Sequence, residues 1–274
     1  MKASLSIALV LSAALLSACG GSSKSKQSIA EFSLNSYEGR TVSSDSIVGT
    51  WVSVSEGERE EFYTEDDFTS TYDIASKEYF IIRDNGSGYA KESCYGWSST
   101  VYQSDGDIEF EGITGTLINN QRISGMRTEV QNFSDWSYSE HATFEMIKIS
   151  DSTEAIGTME LAEAGNGSNV VDVKCFQQNS QVESWDVSDD TATIESYLIS
   201  RSDRSYVELF KWSSDLADSF TGIYAKGSFF NSDDNDTVDF RVNSESNVAH
   251  NISFNGSNEE TDINGTIQIQ LPSQ

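Results

Sequence analysis

From Ile47 onward, apolar and polar residues alternate along much of the chain, broken by short aromatic-rich runs. A period of two is the signature of a half-buried strand. It predicts strands at Val48–Val54, Tyr79–Arg83, Tyr89–Ser93, Ser99–Tyr102, Ile108–Glu111, Thr114–Ile118 and Thr143–Ile149. It predicts further strands at Ile156–Leu161, Val170–Phe176, Thr193–Ile199, Tyr206–Trp212, Ile223–Phe230, Val238–Val242, Asn251–Phe254 and Asn264–Leu271. Asn85-Gly86, Asp105-Gly106, Asn119-Asn120 and Asn255-Gly256 read as hairpin turns, since these residue types tolerate the positive φ that tight turns need. No long amphipathic helix stands out. The pattern predicts an all-β fold, an antiparallel meander closing into a barrel or sandwich. Residues 45–212 read as the barrel-like domain. Residues 213–274, after a polar stretch at Ser213–Ser219, read as a small C-terminal β segment that packs on it or completes its sheet. Gly-Thr recurs at Gly49, Gly115, Gly157 and Gly265, read as strand entries and not as a long repeat.

The first 44 residues break this pattern. Lys2 precedes an apolar run from Leu5 to Leu16, too short for a bilayer span of about 20 residues and suited to a signal peptide over 1–18. The exit Leu16-Ser17-Ala18-Cys19 resembles the lipobox of bacterial lipoproteins. That resemblance implies cleavage after Ala18 and acylation of Cys19. Stable anchoring takes more than one acyl chain, which full acylation of that cysteine supplies. Gly20, in place of Asp, implies by the same analogy an outer-membrane destination after export through the secretory pathway. Residues 19–44 then read as a lipidated N-terminus and flexible tether.

Lipid on Cys19 leaves Cys94 and Cys175 as an even remainder in an exported chain, which suggests a disulfide; two separate buried thiols are the alternative. The bond would close a loop of about 80 residues and add about 4 kcal/mol on chain-entropy grounds. The chain carries 44 acidic against 17 basic residues, a formal charge of −27. Such a surface repels nucleic acid. A dense acidic patch runs from Glu56 and Glu58 through Glu60, Glu61 and Glu65 to Asp66 and Asp67. With 11% aromatic residues, the composition is that of a folded protein and not of a disordered acidic tail.

Gly49-Thr50-Trp51 resembles the G-x-W opening of lipocalin-like barrels, in which the tryptophan plugs the closed end. The stretch Phe80–Gly88 is similar to the strand-turn-strand of bacterial lipocalin-like lipoproteins. The likeness covers residues 45–150. It departs from the family at the later Thr-Asp-Tyr pattern, since Thr71-Tyr72-Asp73 has another order and lies too early. The family's late arginine corresponds to Arg201 or Arg204. The resemblance implies a lipocalin-like barrel with an interior able to hold a small apolar ligand. Tyr95, Trp97 and Tyr102 are candidate wall residues; ordinary sheet aromatics are the other reading.

Chemistry is sparse. There is no G-x-S-x-G elbow, since Gly96-Trp97-Ser98-Ser99-Thr100 lacks the second glycine. His141 and His250 are the only histidines and neither has a supporting motif. No CxxC suggests zinc. Asp233, Asp234 and Asp236, around Asn235, form the best oxygen-rich cluster for calcium, without the spacing of a calcium loop. No cofactor, catalytic residue or metal ligand is expected. The sequence points to a membrane-anchored lipoprotein with a non-enzymatic role, binding a small ligand or an envelope protein. The alternatives are a structural or assembly component of the envelope and a carboxylate-dependent hydrolase.

Overall fold

The computed structural model describes residues 30–64, 68–163, 165, 167–185, 190–214, 218–234, 236–259 and 261–272. The segment expected to be a signal peptide, with the Leu16–Cys19 stretch that resembles a lipobox, lies outside the described residues, as do Glu65, Asp66 and Asp67. The fold is all-β and antiparallel throughout. The first eight strands are β1 (Gly49–Tyr63), β2 (Phe68–Asp84), β3 (Tyr89–Glu92), β4 (Ser98–Ser104), β5 (Asp107–Phe110), β6 (Ile113–Ile118), β7 (Arg122–Asn132) and β8 (Trp136–Ser150). Each pairs with the next, and β8 returns to β1, so they form a closed eight-strand ring.

A second circuit follows: β9 (Gly157–Glu163), β10 (Gly167–Trp185), β11 (Thr191–Arg201), β12 (Tyr206–Ser214), β13 (Ser219–Ala225), β14 (Ser228–Asn231), β15 (Thr237–Glu245), β16 (Ala249–Ser257) and β17 (Asp262–Gln270). Here β17 returns to β9 as β8 returns to β1. Among the described residues no ladder joins β14 to β15, and every other neighbouring pair is hydrogen-bonded. The expected division at Ser213–Ser219 falls between β12 and β13, inside this second circuit, and residues 215–217 lie outside the described residues.

The two rings begin alike. Gly49-Thr50 opens β1 and Gly157-Thr158 opens β9. A Cβ on Gly49 would stand 2.2 Å from the Ser150 carbonyl oxygen, and one on Gly157 would stand 2.1 Å from that of Gln268. In both rings, then, the first strand presses its opening glycine against the last strand, a close approach that only glycine permits. Fully buried Ile47 and Ile156 precede the two glycines, and buried Trp51 and Met159 follow them.

The rings join where each opens. Only Ile82–Asp84 of β2 pair with β3; residues Ser70–Tyr79 pair with β10. Likewise Gly167–Val173 of β10 pair with β9, while Phe176–Trp185 pair with β2. The long halves of β7, β8, β1, β2, β10, β11, β12 and β13 therefore run in that order as one sheet beyond the rings. Cys94, after β3, is disulfide-bonded to Cys175 on β10, so a covalent link crosses the same junction.

Alternation decides the cores. Inward residues at the base of the first ring, Trp51, Phe80, Ile82, Phe144 and Met146, pack into one apolar cluster. Their outward neighbours Val52, Tyr79, Ile81, Ile147 and Ile149 belong to the larger cluster that fills the second ring. The N-terminal segment covers this body. Leu34 and Tyr37 are buried; the Tyr37 hydroxyl lies 2.7 Å from that of Tyr79 and donates to the Asn247 carbonyl at 2.6 Å. Arg40 donates to the Pro272 carbonyl, and Lys148 donates to the carbonyls of Ser43 and Ser46. The expectation of a flexible tether up to Ser44 is thus corrected from residue 30 onward: the buried side chains of Leu34 and Tyr37 and several half-buried hydrogen bonds hold that part down.

Candidate functional site

Inward positions along β1 read Trp51, Ser53, Ser55, Gly57, Arg59, Glu61 and Tyr63; along β8 they read Met146, Phe144, Ala142, Glu140, Tyr138 and Trp136. Side-chain character along these strands goes from apolar to small to charged to aromatic. The small residues leave space in the middle of the ring, and the charged ones surround it. The result is a cavity of about 410 Å³ at the mouth of the first ring.

Two clusters of one pattern face this cavity. In the first, Lys91 Nζ donates to Glu78 Oε1 at 2.6 Å and to Glu111 Oε2 at 2.8 Å. Lys91 is only 2% exposed. In the second, Arg127 meets Glu129 at 2.5 Å and Glu140 at 3.5 Å, and Glu129 also accepts from the Tyr138 hydroxyl at 2.7 Å. Each cation is clasped by two carboxylates, so carboxylates outnumber cations in each cluster.

That imbalance bears on the proton affinities of Glu78 and Lys91. Burial pushes Glu78 upward; Lys91 opposes this and Glu111 adds to it, leaving the Glu78 pKa raised. Burial alone would lower Lys91, but the two carboxylates outweigh it and its pKa is raised as well. Both shifts have one cause: in a desolvated site where carboxylates outnumber cations, Glu78 and Lys91 each hold a proton more tightly than in water. Arg127 is raised against its own desolvation by Glu129 and Glu140.

The loop between β3 and β4 forms one wall. Ser93, Cys94, Tyr95 and Trp97 line the cavity, with Gln177 across the junction on β10. The disulfide pins this loop, and Glu78 Oε1 lies 3.2 Å from the Cys175 sulfur. Of the aromatics expected at a ligand wall, Tyr95 and Trp97 therefore stand at the cavity. Tyr102 does not: Val101 is the inward residue of that strand, and Tyr102 points out, 63% exposed. Above the cavity the aromatic end of the strands forms a ladder, with Trp136 stacked on Phe133, Tyr138 and Tyr63 and Arg59 over the Tyr138 ring at 4.5 Å.

The remaining candidates lie apart from this site. Asp233 and Asp234 are in a short 3-10 turn after β14, and the Asp236 carboxylate accepts the Asn231 backbone N–H. Asn235 and the Asp234 side chain lie outside the described residues. His141 is exposed on β8, within 3.4 Å of the Thr128 hydroxyl. His250 is buried beside Phe176 and Tyr79. Glu56, Glu58 and Glu60 share the outer, exposed face of β1, while Glu61 points to the other face. Sequence reasoning missed the four glutamates, Lys91 and Arg127. The one local signal was a charge at an inward position of an otherwise apolar alternation, as at Glu78 two residues before Phe80.

No protein-family profile, curated protein or solved structure matches this chain.

Proposed function

We propose that this chain is a lipoprotein of the bacterial cell envelope, exported and anchored to the outer membrane through acylated Cys19, and that the mouth of its first ring binds a small cationic organic ligand. One observation carries the ligand class: four carboxylates against two cations surround a cavity of about 410 Å³. Tyr95 and Trp97 add aromatic faces of the kind that attract an ammonium group. An apolar ligand, the expectation from the barrel alone, suits this lining less well, because it would bury charges without pairing them. The hydrolase reading is the weaker one: Lys91 already engages both Glu78 and Glu111, which leaves neither carboxylate free to attack a substrate. An assembly role through exposed edges draws little support from a first ring whose strands close on themselves.

The test is calorimetric titration of the full chain with choline and with spermidine at fixed ionic strength. Saturable binding that weakens about tenfold in Glu140→Gln is expected, because one hydrogen-bonded charge contributes about 1.5–3 kcal/mol. Binding of either cation should also release protons, since a cation beside Glu78 favours its ionised form; the heat then varies with the buffer's ionisation enthalpy. No heat with either probe, or heat unchanged in Glu140→Gln, would refute the ligand class. The anchor is tested separately by detergent partitioning of the full chain and of Cys19→Ser, which should part company if Cys19 carries lipid.

A further inference from the structure

A second cavity, of about 450 Å³, lies at the junction of the rings, where the turn between β11 and β12 meets the loop before β4. Its lining inverts the charge of the protein. The chain has 17 lysines and arginines against 44 acids, yet Arg83, Lys174, Arg201 and Arg204 all line this one space, with Glu92, ion-paired to Arg83, as the one acid among its described lining residues. Asp172 and Asp203 stand behind Lys174 and Arg201 at 3.8 and 3.0 Å. The four cations thus exceed the three neighbouring acids.

Arg201 is the residue that needs explaining. It is 2% exposed, and none of its three side-chain nitrogens has a hydrogen-bond partner. The Asp203 carboxylate is near Nη2 but off the direction of its N–H bonds. The adjacent Ser200 hydroxyl is also buried and unpartnered, as is Nη2 of Arg83, whose Nε has the Glu92 carboxylate at 3.3 Å in an ion pair but makes no hydrogen bond. The backbone fixes this arrangement: Arg201 N–H donates to the Ser205 carbonyl and Ser202 N–H to that of Asp172. A buried donor left unmade is costly, and a charged one more so. Three such groups converging on one space are the preformed half of a set of hydrogen bonds. A guanidinium fork matches the paired oxygens of an oxyanion.

We infer that this junction cavity is a binding site for an oxyanion, the carboxylate or phosphate group of a small organic molecule. Arg201 and Ser200 meet its oxygens, and Arg83, Lys174 and Arg204 supply the surrounding positive charge. The space exceeds that of a bare ion, and the half-exposed Trp97 ring on its wall offers a face for the organic body. This site is separate from the cation-binding cavity of the first ring and does not rest on that reading, although Trp97 borders both.

The experiment titrates the full chain with sodium phosphate, sodium sulfate and sodium acetate at pH 7.5, with sodium chloride balancing ionic strength, followed by calorimetry and thermal unfolding. Saturable binding of at least one of the three is expected. Phosphate or sulfate alone would mark a tetrahedral group, and acetate alone a carboxylate. Lys174→Gln and Arg204→Gln, the latter in an exposed turn, should weaken binding about 10-fold, and Arg201→Gln about 10- to 100-fold. The inference is overturned if no anion binds beyond the chloride control. It is equally overturned if Lys174→Gln and Arg204→Gln bind as the parent chain does; these two variants decide the matter even if Arg201→Gln does not fold.

Discussion

His250 should make the folded protein sensitive to mild acid, by an amount that can be worked out. Its ring is 2% exposed, packed 4.8 Å from Phe176 and 5.8 Å from Tyr79 between centroids, and neither ring nitrogen has a hydrogen-bond partner. Burial, reinforced by the charge of Lys77, lowers its pKa from 6.5 to about 4. The Glu245 carboxylate, 3.9 Å away and 43% exposed, is too distant to hydrogen-bond and too well screened to reverse this. The unfolded chain therefore takes up a proton as pH falls below about 6.5, while the folded chain refuses it until about 4. Stability present at neutral pH is lost across that window. At pH 5 the loss is about 2 kcal/mol, and at pH 7.5 it is near zero. His250→Phe fills the same aromatic niche and removes the proton without breaking a hydrogen bond. Urea unfolding of both proteins at pH 7.5 and pH 5.0 isolates the effect, because the 44 acids titrate alike in each. The variant should gain about 2 kcal/mol on the parent between the two pH values, a midpoint shift of about 1 M. Any packing cost of the larger ring appears equally at both. A difference between the two proteins that does not change with pH would refute the reasoning.

Other outcomes follow from the same structure. Lys91→Met leaves Glu78 and Glu111 desolvated without their cation and should cost about 3–5 kcal/mol, read as a fall in thermal midpoint at pH 7.5. Glu78→Gln keeps the neutral form that the raised pKa favours. Because that stability is present at low pH and lost as pH rises through the folded pKa, the variant should compare better with the parent at pH 8 than at pH 4.5. Gly157→Ala forces a methyl group against the Gln268 carbonyl oxygen and should cost at least about 2 kcal/mol in urea unfolding. Replacing Cys94 and Cys175 together by serine should cost about 4 kcal/mol, with part of the loss visible as faster proteolysis of the Ser93–Trp97 loop.

The alternation that made the strands legible also limited what could be read. Wherever one face is apolar, as at Val48–Val54 or Thr143–Ile149, the expected strand is present, and the pairing of Cys94 with Cys175 followed from counting. β7 was missed because its inward residues Arg127, Glu129 and Gln131 serve the charged mouth, while Met126 and Val130 lie on its exposed outer face, so neither face reads as a run of apolar residues. Ile223–Phe230 is two strands, since Lys226 and Gly227 take positive φ and turn the chain between them. Asn255-Gly256 is no turn; both residues lie within β16, where Gly256 makes room for the Phe230 ring. Asn85-Gly86, Asp105-Gly106 and Asn119-Asn120 do connect successive strands. The cavities left almost no trace, because Glu78, Lys91, Glu111, Arg127 and Glu140 come from separate elements and only ring closure brings them together. The Gly-Thr pairs at 49 and 157 look like any strand entry in sequence, and only the two return pairings reveal them as the same corner built twice.

The bond between Cys94 and Cys175 also dictates a timetable. A chain that is made from its N-terminus delivers the loop at Ser93–Trp97 well before its covalent partner, 81 residues after Cys94. The first ring can pair its strands in that interval, but Cys94 waits as a thiol and the long half of β2 waits without β10. Both cavities therefore have an unfinished wall until residues of the second ring are in place. The first cavity needs the chain out to Gln177 and the second needs it out to Arg204, so closure of the first ring alone completes neither.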